Sequence, residues 1–189
     1  MKSIPNLKTE RLKLRPFSLA DASDVQRLVG DRSIADTTLH IPHPYMNGEA
    51  EKWIAMHQPE FDRGRCVTFA VTRKTDGVLV GAIGLSGMVA GHQAELGYWI
   101  GQPYWNQGFC TEAGRAVLRY AFSKFRLIRV HGIHFSRNPA SGQVMRKLGM
   151  RHEGSRRQHV RKWDLFEDIE LYGILKTDWL HSDRKSSRS

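Results

Sequence analysis

Apolar and polar positions alternate across residues 11–17: Leu12, Leu14 and Pro16 share one parity, and Arg11, Lys13, Arg15 and Phe17 the other. A period of two predicts a strand with one buried face. Ser18, with Asp21 three residues on, makes a near capping box, so a helix is predicted from there to about residue 29. Residues 41–45 hold prolines at 42 and 44, which remove donors and restrict their predecessors, and predict a loop. Trp53, Ile54 and His57 have helical spacing within 49–63, where Pro59 should kink or end the helix.

Short strands are predicted over 67–71, 78–85 and 94–100, the first two joined by the turn dipeptide Asp76-Gly77. Residues 101–110 are rich in Gly, Pro, Asn and Gln. Residues 111–125 follow as an amphipathic helix, with Ala113, Val117, Tyr120 and Ala121 on one face. After a strand at 130–135, Asn138 and Pro139 provide an N-cap and an N1 proline. Val144, Met145 and Leu148 form that helix's apolar face, and Gly149 is a natural C-cap. A last strand is predicted over 168–175. No repeat or internal linker interrupts the series. The expectation is one mixed α/β (α+β) domain over residues 1–181, with a largely antiparallel sheet and a polar, basic, frayed tail at 182–189.

Composition agrees with an ordinary globular chain: 40% of residues are hydrophobic and 25% charged. At 189 residues, folding buries roughly 70% of the unfolded surface. Two cysteines, Cys66 and Cys110, cannot build a disulfide framework or a four-cysteine zinc site. No window has the ~20 apolar residues of a membrane span, and residues 1–5 lack the apolar core of a signal peptide. The expectation is a cytoplasmic protein without a membrane partner.

Charge changes the picture more. Lys and Arg number 29 against 19 Asp and Glu, a net charge of +10. Residues 115–162 hold 13 basic residues and one acidic residue, Glu153, so the whole excess sits in one stretch. That asymmetry suits a phosphate-bearing partner or a solvated Arg-rich surface. No helix-turn-helix or RNA-recognition signature accompanies it, so a nucleic-acid partner is not expected.

The common catalytic signatures are missing: H-E-x-x-H, G-x-S-x-G, the phosphate loop G-x-x-x-x-G-K-[ST] and a dinucleotide G-x-G-x-x-G. His131 and His134 are three apart, on opposite faces of a strand, with no Cys, Asp or Glu beside them in sequence. They read as surface or core histidines, and no metal is expected. What remains is the strand–loop–helix from Glu95 to Phe125. Its loop, Trp105-Asn106-Gln107-Gly108-Phe109-Cys110, feeds straight into a helix. A loop glycine lets backbone amides approach a ligand, and the free N–H groups of a helix start form an anion site fit for a pyrophosphate.

These residues resemble a family. Glu95-Leu96-Gly97-Tyr98-Trp99-Ile100-Gly101, followed by Tyr104-Trp105-Asn106-Gln107-Gly108-Phe109-Cys110-Thr111-Glu112-Ala113, is similar to the acetyl-coenzyme A site of the GNAT N-acetyltransferase superfamily, in its RimJ/RimL branch. Further matches lie in order along residues 7–180. Thr9-Glu10-Arg11-Leu12-Lys13-Leu14-Arg15-Pro16 resembles the branch's opening, and Asn138-Pro139-Ala140-Ser141 its N-x-x-S. Lys147-Leu148-Gly149-Met150-Arg151-His152-Glu153-Gly154 resembles its K-L-G-F-x-x-E-G, and residues 168–173 its closing D-x-x-x-Y-G. The superfamily loop reads [Q/R]-x-x-G-x-[G/A]. Here Trp105 stands in the first position and Cys110 in the last, as a small filler or as a thiol activated by the helix N-terminus.

The resemblance implies a sheet splayed between its fourth and fifth strands, with acetyl-coenzyme A in the splay. Pantetheine would lie along Tyr98, Trp99 and Ile100. The pyrophosphate would lie on Asn106, Gln107, Gly108, Phe109, Cys110 and Thr111, with Asn138 as a further contact or only a helix cap. The implied reaction is direct attack of a neutral amine on the thioester carbonyl. Glu95 is the first candidate base, its bland alternative being a surface carboxylate paired to a basic neighbour. Ser141 would hydrogen-bond the leaving thiolate, or cap its helix. Asp164, Glu167, Tyr172 and His159 are later candidates for proton handling. The acceptor site is expected between the early helices, residues 41–45 and residues 158–166, a region carrying His40, His43, Tyr45, Trp53, Trp163 and Phe166. The acceptor implied for this branch is a protein N-terminal amine. A small amine (an amino acid, a polyamine or an antibiotic) is the alternative, and a non-catalytic acyl-coenzyme A or nucleic-acid binder the third reading. A homodimer is compatible with the sequence.

Overall fold

The computed structural model describes residues 3–186, with side chains described as far as His181. Eight strands form one sheet: Leu7–Lys8 (β1), Leu12–Arg15 (β2), Val67–Arg73 (β3), Leu79–Val89 (β4), Gln93–Ile100 (β5), Arg129–Phe135 (β6), Arg151–Lys162 (β7) and Leu165–Leu175 (β8). Their order is β1-β2-β3-β4-β5-β6-β8-β7. Every neighbouring pair is antiparallel except β5 and β6.

That parallel pair is short. It joins Gln93, Ala94 and Glu95 to Arg129, Val130 and His131, and goes no further along either strand. β5 continues to Ile100 against β4, while β6 continues to Phe135 against β8. The sheet therefore opens into a wedge just past Glu95. Counted without the two-residue β1, this is the predicted opening between the fourth and fifth strands.

Helices cover both faces. Ala22–Val29 (α1), Arg32–Thr37 (α2), Glu49–Ala55 (α3) and His57–Asp62 (α4) lie in the first half of the chain, and Phe109–Ser123 (α5), Pro139–Lys147 (α6) and Lys176–Ser186 (α7) in the second. On one face Ala94, Leu96, Ile83 and Leu85 pack with Ala113, Val117 and Met145 of α5 and α6. On the other, Ala70, Ala82 and Trp99 pack with Val25, Ile34, Ala50 and Ile54 of α1, α2 and α3. Leu96 and Trp99 go to opposite layers because side chains alternate along a strand.

Several local expectations shift. The helix expected over 49–63 breaks at Met56, before Pro59, and Pro59 sits in the first turn of α4, where no backbone donor is needed. The helix expected from residue 111 starts at Phe109. α2 carried no predicted element. β7 reads Arg-His-Glu-Gly-Ser-Arg-Arg-Gln-His-Val-Arg-Lys and is exposed along nearly its whole length. An edge strand with neither face covered shows no alternation, so periodicity misses it. The tail expected from Ser182 is helical as far as Ser186, and the rest lies outside the described residues.

His57 shows how tightly the helical layer packs. Its ring lies 4.4 Å from that of Trp53 and 5.3 Å from that of Phe17, and neither ring nitrogen has a partner. Desolvation lowers its pKa to about 4. The unfolded chain takes up this proton near pH 6.5, whereas the folded chain takes it up only near 4. The stabilisation is complete above pH 6.5 and is lost as pH falls toward 4, by about 3 kcal/mol. His57→Phe is expected to flatten the wild-type stability curve between pH 7 and 4 by that amount in urea unfolding. Parallel curves for the two proteins would show that His57 does not titrate this way.

Candidate active site

The wedge opens into a cleft of about 830 Å³. Its wall on the β5 side is a strand edge. Trp105 Nε1 donates to the Ile100 carbonyl at 2.5 Å. The Leu96 carbonyl lies 3.3 Å from where a Cβ on Gly132 would stand, so it too faces away from β4, and glycine at 132 spares β6 that crowding. Backbone groups alternate along a strand, so Tyr98, midway between the two, also turns its N–H and C=O into the gap. Trp105 thus anchors the loop to the strand end, in place of the Gln or Arg of the superfamily pattern.

The loop turns through Asn106 at φ 60° and Gly108 at φ 78°. Gly108 is the N-cap of α5, and its carbonyl accepts from Glu112 N–H at 3.0 Å. The amides of Phe109, Cys110 and Thr111 precede that bond and have no intrahelical acceptor. They face a 15-residue helix with its dipole behind them. Arg11 braces the turn, donating to Glu112 Oε2 at 2.7 Å and to the Gln107 carbonyl at 3.0 Å, while Thr9 donates to Glu112 Oε1 at 2.5 Å. Glu112 is thereby neutralised at the helix start. Free amides, a left-handed glycine and an open strand edge fit a pantetheine pyrophosphate such as that of acetyl-coenzyme A.

Of the residues expected at the cofactor, Tyr98, Ile100, Asn106, Gly108, Cys110, Thr111 and Asn138 line the cleft. Gln107 does not: its side chain turns back to the Pro103 carbonyl at 3.1 Å. Phe109 lines it but is buried in the core, so its amide is the group on offer. Trp99 also lines the cleft, but from the α3 layer, its ring 6.4 Å from that of Trp53. The Cys110 thiol is half-buried, and desolvation raises its pKa despite the helix dipole. That favours the filler over the activated thiol.

Ser141 and Tyr98 meet across the wedge, with 2.7 Å between Oγ and the phenol oxygen. The Tyr98 hydroxyl also donates to the Ser141 carbonyl at 3.1 Å, and desolvation raises the phenol's pKa, so it stays protonated. Asn138 caps α6 through the Ser141 N–H at 3.3 Å. The cap is thus supplied by Asn138 rather than by Ser141, whose hydroxyl is engaged with Tyr98 at the cleft.

Glu95 stands where β5 and β6 part, on the face of α1, α2 and α3. Its carboxylate lies 3.8 Å from His131 Nε2. Nothing adjacent in sequence pairs Glu95 with a histidine; the parallel register does so. Desolvation holds His131 below its ordinary pKa, against the pull of Glu95. At neutral pH the carboxylate therefore faces a neutral imidazole.

The later candidates lie elsewhere. Asp164 is exposed beside Arg161. Glu167 accepts from Arg137 Nε at 2.9 Å. Tyr172 is buried and accepts from Arg146 at 2.8 Å. His159 lies on exposed β7 beside Arg156. None lines the cleft. On the side expected for the acceptor, the cleft is walled by Ile34, Thr37, Leu39, His40, Ile41, Trp53 and Val160, not by His43, Tyr45, Trp163 or Phe166. Its walls are pinned by buried Lys162, which donates to the Ile41 and Leu39 carbonyls at 2.7 and 3.2 Å. Arg137 adds a bridge to Asp36 at 3.2 Å.

The basic stretch disperses. Arg129, Arg137 and Arg151 pair with carboxylates and Lys162 is buried, while Lys147 lies on the cleft wall. Among the described residues no group of His, Cys, Asp and Glu could hold a metal ion, and no helix is long and apolar enough to cross a membrane.

A split mixed sheet with free helix-start amides in its wedge fits an acyl-coenzyme A-dependent acyltransferase. A family model described as "Acetyltransferase (GNAT) domain" matches residues 11–151, and the chain belongs to that family. It is 28% identical over 174 residues to the uncharacterized N-acetyltransferase YnaD of Bacillus subtilis, spanning 92% of this chain and 99% of the relative. It is 26% identical over 119 residues to the [ribosomal protein uS5]-alanine N-acetyltransferase of Escherichia coli, spanning 62% of this chain and 61% of the relative. A solved GNAT-family acetyltransferase from Bacillus anthracis superposes with a TM-score of 0.82 at 25% identity, spanning 92% of this chain and 99% of that one. The chain is an acetyl-coenzyme A-dependent N-acetyltransferase.

Proposed function

We propose that the acceptor is the α-amino group of a protein N-terminus. The observation that carries this reading is the charge of the cleft: Glu95 and Lys147 are the charged side chains among its lining residues. One carboxylate accommodates one ammonium, and a polyamine or amine-rich antibiotic would leave further cations against Trp53, Ile34 and Ile41. An α-amine titrates near 7.7–8.0 and a lysine near 10.4. A single half-exposed carboxylate is adequate to deprotonate the former. The name of the Escherichia coli relative supports the same acceptor class.

Acetyl-coenzyme A supplies the activated acetyl thioester. The amides at the start of α5 hold its pyrophosphate, and the Tyr98 backbone aligns its pantetheine. Glu95 takes the proton of the incoming ammonium. The Tyr98 N–H is aimed at the carbonyl oxygen on which negative charge grows. Ser141 and protonated Tyr98 lie together where a thiolate would leave, and can donate to it.

A panel of acceptors tests this. Short peptides with a free α-amine should exceed spermidine, free amino acids and an N-formylated lysine peptide in kcat/KM by at least about 100-fold, roughly the 3 kcal/mol that a matched site gains over an unmatched one. Preference for any of the small amines would transfer the site to the small-molecule reading.

A further inference from the structure

On the face that carries Glu95 and His131, β6 continues with Ile133 and Phe135. Register extends these rows outward: Ile133 pairs with Leu171 and Leu171 with Gly154, while Phe135 pairs with Ile169 and Ile169 with Arg156. Paired residues share a face, so the apolar floor of the acceptor side runs without a step from the wedge to the edge strand. Ile133, Phe135 and Ile169 line the cleft itself. Gly154 has open space above it. Ile133, Leu171 and Gly154 are half-exposed, whereas Phe135 and Ile169 are buried, with the Arg137 guanidinium 5.0 Å from the Phe135 ring, so the open track follows the Ile133–Leu171–Gly154 row.

Charges border this track. Arg129 is held by Glu153 on one side, and Arg137 by Asp36 and Glu167 on the other. Arg156, at the outer end, is different. It is exposed, its guanidinium touches His159 Nε2 at 3.1 Å, and it meets no carboxylate among the described residues. The side chains of Asp168 and Glu170 fall on the opposite parity of β8, with Glu170 bonded to Ser136, Ser155 and His152.

We propose that Arg156 reads an acidic side chain near the fourth or fifth residue of the acceptor polypeptide, whose N-terminus lies at Glu95 and whose following residues cross the Ile133–Leu171–Gly154 row. This rests on the reading of a protein N-terminus as acceptor. Three strand spacings of about 4.8 Å and four residues along β6 place Arg156 about 20 Å from Glu95. The reach of the guanidinium and of the acceptor's own acid covers about 7 Å of this, leaving roughly four extended residues at 3.3 Å each. On this face Arg129 and Arg137 are neutralised and Arg157 follows on the opposite parity of β7, so Arg156 stands without a row of like cations, which suits one carboxylate better than a phosphate backbone.

The test uses eight-residue peptides with a free N-terminal alanine and a neutral body, carrying Glu-Glu, Gln-Gln or Lys-Lys at positions 4 and 5. The wild-type enzyme should favour the Glu peptide over the Gln peptide by about 10-fold in kcat/KM at low salt, through KM, with the advantage shrinking at 0.5 M salt. Arg156→Glu should invert the order and favour the Lys peptide. Equal values for all three peptides would overturn the role of Arg156 while leaving the N-terminal reading intact. A Glu preference that survives Arg156→Glu would overturn it as well. Acetylation of small amines but of no peptide would overturn both. Competition by a duplex oligonucleotide without discrimination among peptides would assign Arg156 to nucleic acid instead.

Discussion

Glu95→Gln is expected to lower kcat/KM by about 10²–10³ at pH 7, the usual contribution of a positioned base. Glutamine keeps the shape and the neighbour, His131 at 3.8 Å, but cannot take a proton. The size of the loss should depend on pH in one direction. Below the pKa of the acceptor amine, near 7.7–8.0, most of the acceptor is ammonium, and attack requires that the enzyme remove a proton. Above it, solution has already done so. The variant should therefore fall furthest behind at pH 6 and approach the wild type above pH 9. Steady-state kcat/KM between pH 6 and 9, with one α-amine peptide, measures this. Superimposable profiles would return Glu95 to the role of a surface carboxylate.

Gly108→Val should act on binding rather than on the proton. Gly108 holds φ at 78° as the N-cap of α5, a conformation costly for a β-branched residue by about 2 kcal/mol. An added Cβ would also stand 3.5 Å from the Arg11 guanidinium that braces the turn. The helix can start later, but then the amides of Phe109 and Cys110 no longer converge on one anion. An increase of about 30-fold in the dissociation constant for acetyl-coenzyme A follows from that energy, readable by calorimetric titration. The same titration with 3′,5′-adenosine diphosphate should lose less, because that ligand lacks the pantetheine pyrophosphate arm in full. An unchanged constant for acetyl-coenzyme A would remove this loop from the cofactor site.

Much of this site was legible in residues close together in the chain. A strand, a Gly-bearing loop and a helix in succession suffice to place free amides at a helix start, since all three depend on local backbone geometry. Gly108 and the Asn138–Pro139 helix start are of this kind. The order of motifs from Thr9 to Gly173 identified the family and, through it, the wedge. Trp105 shows the limit. Its side chain was legible only as a departure from a pattern, while its hydrogen bond to Ile100 needed the fold of the turn.

What periodicity could not reach lies at long separation or on uncovered surface. β7 escaped notice because neither of its faces is buried, and with it went the place of Arg156 in the sheet. The meeting of Glu95 with His131 joins residues 36 apart through the parallel register of β5 and β6, and that of Tyr98 with Ser141 joins residues 43 apart across the wedge. The sequence by itself determined most of the elements, the core faces and the Gly108 turn with its free helix-start amides, because propensity, capping and alternation act over a few residues. Only the tertiary structure decided which carboxylate lines the cleft, which arginines are neutralised, and that Arg156 meets no carboxylate among the described residues. Those outcomes depend on strand order and register, set by packing across the whole sheet.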